Sequence, residues 1–136
     1  MEVLVDSCVL LDIFTRDPIW FSWSQNTLSH YGLTHSCVIN PIIYAEVSVR
    51  FSDRQEFEDL IPERFFRRDN LPWNAAFLAG KAFLNYKTRG GIKNATLPDF
   101  FIGAHAEATG MPLMTRDVNR YRTYFPQVTL ISPDPI

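Results

Sequence analysis

No apolar run in this chain approaches the roughly 20 residues that a membrane-spanning helix needs. The opening MEVLVDS carries an acid where a secretory signal requires positive charge, so a cytoplasmic protein with no membrane partner is expected. Cysteine is scarce: Cys8 and Cys37 stand apart without C-x-x-C spacing, each beside a predicted strand. That spacing excludes a zinc ribbon, and both side chains are expected as reduced, buried thiols. Histidine is equally sparse, and His30, His35 and His105 are scattered singly, as surface or satisfied core residues rather than metal ligands. Positive charge is not in excess either, with 13 basic against 15 acidic residues and a net charge of −2. Taken at face value, that balance argues against a nucleic-acid partner. If several acids are gathered in one site, however, the rest of the surface turns slightly basic, which permits a polyanionic substrate. Internal repeats and low-complexity linkers are missing as well.

What is present is a chain of 136 residues that is 46% hydrophobic and 14% aromatic, enough for one domain with a sizeable core. Met1 to Val5 is a short apolar strand that runs into Asp6-Ser7, and the Val9, Leu10, Ile13 and Phe14 spacing that follows suits a helix with Ser7 as its N-cap. Thr15 to Pro18 is a break. A second helix is expected from about Pro18 to His30, with Gly32 as terminator and with Trp20, Phe21, Trp23 and Leu28 as core or interface residues. Leu33 to Ile39 reads as the second strand, and Asn40-Pro41 opens the helix IIYAEVSVRF.

Ser52-x-x-Gln55 reads as a capping box for a charged, solvent-facing helix ending at Ile61-Pro62. Glu63 to Asn70 holds a short edge strand and the densest basic cluster, Arg64, Arg67 and Arg68. A long helix from Trp73 to Lys87 presents Ala76, Phe77, Gly80, Phe83 and Leu84 to a core or a partner, and Arg89-Gly90-Gly91 ends it. The segment from Thr96 to Asp117 carries an apolar helix capped at Thr96 and stopped by Gly110 and Pro112, followed by the strand Met111 to Met114. Val128 to Ile131 is the last strand and SPDP closes the chain. Strands alternating with helices predict an α/β domain with a mainly parallel central sheet.

Four acids stand out against this pattern. Asp6 and Asp117 each follow an apolar strand, Asp99 lies in the first turn of an apolar helix, and Glu46 is surrounded by apolar helical neighbours. Each has a plain structural reading: Asp99 as part of a capping box, Asp117 as an N-cap, Glu46 as an i,i+4 partner of Arg50. In a parallel sheet, however, the carboxyl ends of the strands face one edge, and all four acids can meet there. Four carboxylates together raise one another's pKa unless a cation is present, and an oxygen-only set selects Mg2+ or Mn2+ over zinc.

The opening LVDSCVLLDIF, YAE at Tyr44 to Glu46, PDFFIGAHAEATG at Pro98 to Gly110, MTRD at Met114 to Asp117 and the YFPQVTLISP tail, in that order, resemble a PIN-domain ribonuclease of the VapC toxin type. The resemblance covers nearly the whole chain, as a single domain over residues 1–136. It implies a Rossmann-like three-layer fold in which Asp6, Glu46, Asp99 and Asp117 surround one or two Mg2+ or Mn2+ ions. Ser7 and Thr115 fall at the family's hydroxyl positions. It further implies endonuclease activity on RNA, a homodimer, and neutralisation by a VapB-type antitoxin whose tail occupies the acidic groove. Arg116 and the cluster of Arg64, Arg67 and Arg68 are candidates for contacts to the RNA backbone, a solvated surface being the other reading. Two alternatives differ in kind: a binding module whose acids only cap helices or receive a partner's arginine, and a phosphatase with Asp6 as covalent nucleophile. The phosphatase class wants a second Asp two residues on, where this chain has Cys8.

Overall fold

The computed structural model describes residues 1–90 and 97–133. The expected cap at Thr96, the Gly91 end of the long helix and the last two residues of SPDP lie outside the described residues. Val3, Leu4 and Val5 of β1 (Glu2–Val5) are fully buried, as an unbroken apolar run requires of a strand covered on both faces. It pairs in parallel with β2 (Ser36–Ile39) on one side and β4 (Leu113–Met114) on the other. The edges are β3 (Phe66–Arg68) beside β2 and β5 (Leu130–Ile131) beside β4, giving a five-stranded parallel sheet in the order β3-β2-β1-β4-β5.

Helices α1 (Ser7–Phe14), α2 (Phe21–Thr34), α3 (Pro41–Ser48), α4 (Arg54–Leu60), α5 (Trp73–Thr88), α6 (Leu97–Thr109) and α7 (Val118–Tyr124) complete the predicted three-layer α/β arrangement. No helix among the described residues is long and apolar enough to cross a membrane. From β1 the chain winds outward through β2 to β3, then returns to the other side of β1 for β4 and β5. The winding direction therefore reverses between β1 and β4. In open α/β sheets the crevice at such a reversal, beyond the carboxyl ends of the strands, is where ligands bind. Asp6 follows β1 and Thr115 follows β4, so both stand at that crevice. The Asp6 N–H donates to the Met114 carbonyl at 2.9 Å, which fixes the two strand ends side by side.

Several local expectations are corrected. The N-cap of α1 is Asp6, whose Oδ1 accepts the Ser7 N–H, so Ser7 is the first helical residue and its hydroxyl is released for other work. Gly32 does not end the second helix but lies inside α2, which runs on to Thr34 and shortens the strand predicted from Leu33 to Ser36–Ile39. A Cβ at Gly32 would come within 2.6 Å of the Phe65 ring, so the glycine serves close packing rather than termination. α4 is capped by Asp53, whose carboxylate accepts the Glu56 N–H, rather than by Ser52.

The core side of α5 is the small-residue stripe Ala75, Ala79 and Ala82, while Phe77 and Leu84 are exposed. Small side chains let α5 lie close against α6, while Phe83, as expected, and Tyr86 pack half-buried on Phe100 of that helix. The strands expected over Met111 to Met114 and Val128 to Ile131 shorten to Leu113–Met114 and Leu130–Ile131, α2 starts at Phe21 rather than Pro18, and α3 ends at Ser48. Two boundaries stand: Asn40 caps α3 with Pro41 at its first position, and Gly110, at φ +77°, ends α6. Cys37 is buried and reduced, whereas Cys8 is only half-buried.

Candidate metal centre

Asp6 is held by the way its strand becomes a helix. As N-cap of α1 it takes extended backbone angles, its Oδ1 accepts the Ser7 N–H at 2.8 Å, and only 4% of the residue is exposed. Its Oδ2 accepts the Thr115 hydroxyl at 2.8 Å and the Tyr121 hydroxyl at 3.1 Å, and the Cys8 thiol lies 3.7 Å away. Thr115 in turn accepts the Asp117 N–H at 3.0 Å, so the turn after β4 is tied to the end of β1 through one hydroxyl.

Glu46 reaches the same place from α3. Ser7 Oγ donates to its Oε1 at 2.7 Å and lies 3.5 Å from Asp6 Oδ1, making Ser7 a bridge between the two carboxylates. Asp99, in the first turn of α6, is felt by both: its charge raises the pKa of Asp6 and of Glu46. Burial is the largest effect on Asp6. Together with the charges of Asp99 and Glu46 it outweighs the Thr115 and Tyr121 hydrogen bonds and pushes the carboxyl from 3.8 to about 6. Burial likewise raises Glu46, ahead of the opposing Ser7 hydrogen bond and the reinforcing charge of Asp99.

Asp117 is more exposed and stands at the N-cap of α7, where its side chain makes no capping bond. The structure thus brings Asp6, Glu46, Asp99, Ser7 and Thr115 into one electrostatic neighbourhood, with the backbone N–H of Asp117 bonded to Thr115. Among the described residues, no three His, Cys, Asp or Glu side chains stand ready to enclose an ion.

The arginines are placed differently. Arg116 lies beside this site but its guanidinium is bidentate on buried Asp12, at 2.7 and 2.9 Å, and sits over the Trp20 ring at 5.5 Å. Ser24 donates to the same Asp12 at 2.8 Å. This cluster pins α2 to α1 and to the turn after β4, and gives Trp20 a structural role. Arg67 pairs with Glu2 and Asp69, and Arg68 with Glu58, all around the β3 edge, away from the sheet's reversal point. Arg64 is exposed. His105 is fully buried on α6, a core histidine bonded to Asn40 through Nδ1, while its Nε2 lies 3.4 Å from Asp69 Oδ2 without a hydrogen bond.

Sequence reasoning missed Tyr121. Its cue was a tyrosine four residues beyond Asp117 in a polar, aromatic segment, since a buried phenol must find an acceptor.

The fold has close parallels among solved structures. One is VapBC2 from Rickettsia felis bound to a DNA fragment from its promoter, with TM-score 0.74 and 16% identity over 98% of this chain and 100% of that one. FitAcB from Neisseria gonorrhoeae matches with TM-score 0.70 and 18% identity, covering 98% of this chain and 99% of that one. VapC20 from Mycobacterium tuberculosis, a Sarcin-Ricin loop cleaving toxin, matches with TM-score 0.62 and 12% identity, covering 93% and 98%. No curated protein sequence matches the chain. The PIN domain family model matches residues 3–126, which takes in all four acids and both hydroxyls of the site. By sequence pattern, sheet order and family match alike, this chain belongs to the PIN domain family.

Proposed function

We propose that this protein is a metal-dependent endoribonuclease, the toxin of a toxin-antitoxin pair. The observation that supports this most is the state of Asp6. A buried carboxylate beside Asp99 and Glu46 at the mouth of the sheet is electrostatically unfavourable, and a divalent cation relieves it. The donor set is oxygen-only, which fits Mg2+ or Mn2+ and not zinc. Mg2+ keeps several of its waters and needs only one or two carboxylates directly.

In this reading Asp6 and Asp99 would hold the ion, with Glu46 and Asp117 acting directly or through water. When bound, such an ion lowers the pKa of a coordinated water and neutralises charge on a phosphodiester. The chain's own groups do the rest. Ser7 holds Glu46 beside Asp6, and Thr115 keeps Asp6 turned toward the crevice. Glu46, raised by burial, is a candidate to take a proton from the attacking water.

The partner proposed for this groove is a VapB-type antitoxin, in keeping with the similar chains known from VapBC and FitAcB structures. An acidic groove of this kind is suited to a cationic segment. A second copy of the chain is the other proposed partner. The stripe Trp73, Phe77 and Leu84 on α5, exposed by 91%, 70% and 55%, offers it an apolar face.

The test is cleavage of matched RNA and DNA oligonucleotides by antitoxin-free protein with Mn2+, alongside Asp99→Asn. The expected result is cutting of RNA only, abolished in the variant. Equal activity in the variant, or no cutting by the folded unaltered chain at any Mg2+ or Mn2+ concentration, would turn the reading to a binding module.

A further inference from the structure

Tyr121 sits on α7, with 2% of its surface exposed, and donates its hydroxyl to Asp6 Oδ2 at 3.1 Å across 115 residues of chain. A phenylalanine would fill the same space. The hydroxyl is therefore accounted for by Asp6 and not by packing. Its presence completes an arrangement in which neither oxygen of Asp6 is left to turn: Oδ1 is fixed by the Ser7 N–H from α1, and Oδ2 by Thr115 from the end of β4 together with Tyr121 from α7. Donors from three separate elements fix the carboxylate's rotation, so its remaining lone pairs keep one direction. The phenol remains a donor at any ordinary pH, since burial and the charges of Asp6 and Asp99 push its pKa well up.

We infer that Tyr121 is a positioning residue for Asp6, one that holds the carboxylate in the orientation a divalent cation requires and so links the seating of α7 to metal affinity. The inference rests on the proposed reading of Asp6 as a metal ligand. It also gives α7 a part in the site that the acids alone do not assign to it. Groups that hydrogen-bond metal ligands from behind commonly change affinity about 10- to 100-fold when removed.

The experiment is Mn2+ binding by calorimetry on the unaltered chain, Tyr121→Phe, Tyr124→Phe and Asp6→Asn, with thermal unfolding in EDTA beside each. Tyr124, on the same helix as Tyr121, packs against Tyr86 of α5 and Phe100 of α6 and serves as control. The expected result is about tenfold weaker Mn2+ binding by Tyr121→Phe, no change in Tyr124→Phe, and no binding by Asp6→Asn. Unchanged affinity in Tyr121→Phe, with tight binding by the unaltered chain, would overturn the role of Tyr121 and leave the metal centre standing. No binding by the unaltered chain would overturn both.

A second readout covers the case in which Tyr121→Phe does not fold. Titrating the unaltered chain with Mg2+ should perturb the absorbance of a buried tyrosine, and Asp6→Asn should abolish the perturbation. A flat difference spectrum at saturating Mg2+ would count against the inference.

Discussion

Thr115 donates its hydroxyl to Asp6 at 2.8 Å although 109 residues separate them in sequence. The bond exists because β1 and β4 are neighbours, and it sits at the point where the sheet reverses its winding. Thr115→Val keeps the shape of the side chain but leaves Asp6 Oδ2 short of its closest donor. Loss of that hydrogen bond raises the Asp6 pKa further, so Mn2+ binding should weaken by about 10- to 100-fold. Thr115→Ser restores the hydroxyl and should bring the affinity back, as read by calorimetry.

Asp6 costs the metal-free protein stability. Its folded pKa of about 6 lies above the ordinary 3.8, so the folded state favours the protonated form. The contribution of Asp6 is fully present below pH 3.8 and is lost as pH rises through about 6. At roughly 1.4 kcal/mol per pKa unit, the loss above pH 7 amounts to about 1–3 kcal/mol. Asp6→Asn should therefore unfold at a higher temperature than the unaltered chain at pH 8 in EDTA. Added Mg2+ should stabilise the unaltered chain and leave the variant where it was.

His105 sets a second pH dependence, with the opposite sign. Asn40 Oδ1 accepts the Ile43 N–H at 2.9 Å, which turns its amide nitrogen toward His105 Nδ1, also at 2.9 Å. Nδ1 must then accept, and the proton belongs on Nε2, 3.4 Å from Asp69 Oδ2. Burial holds the His105 pKa below 6.5, against the attraction of Asp69 and with a smaller push in the same direction from the Arg67 charge. Its contribution to stability is complete above pH 6.5 and declines as pH falls below that value toward the folded pKa. Chemical denaturation at a series of pH values should show a slope of up to about 1.4 kcal/mol per pH unit there, and His105→Gln should flatten it.

Asp12 is 2% exposed and receives Arg116 in a bidentate pair. Removing one partner of a buried pair leaves an uncompensated charge, at a cost of about 3–5 kcal/mol. Since the Arg116 side chain is 30% exposed and water can enter, Arg116→Ala should cost somewhat less, about 2–4 kcal/mol in denaturant unfolding. A loss of RNA affinity with stability unchanged would instead mark Arg116 as a backbone contact.

The exposed stripe on α5 makes the proposed homodimer testable. Phe77→Glu adds a charge at a side chain 70% exposed, where it should do little to folding. In sedimentation it should convert a dimer to a monomer. A dimer that survives the substitution would place the interface elsewhere.

The central strands β1 and β4 were legible as short apolar runs, and Asp6 stood out because an acid follows Val3, Leu4 and Val5 directly. Asn40-Pro41 and Gly110 were legible too, since each works through its own backbone. The α1 cap was not, because Asp6 and Ser7 are both good caps and only the site decides between them. Helical spacing could not choose the core face of α5, where Ala75, Ala79 and Ala82 compete with Phe77 and Leu84 and the closeness of α6 settles the matter. The partners of Arg67, Arg68 and Arg116, and the reach of Tyr121 to Asp6, depend on contacts between distant segments. No local pattern records these.

Of all measurements, cleavage of total cellular RNA by the unaltered chain and by Asp6→Asn, each with Mg2+ and with EDTA, bears most directly on the central claim. The account predicts discrete fragments that disappear with EDTA and with the variant, while circular dichroism shows Asp6→Asn folded. Undiminished cleavage by Asp6→Asn, or fragments that persist in EDTA, would contradict it.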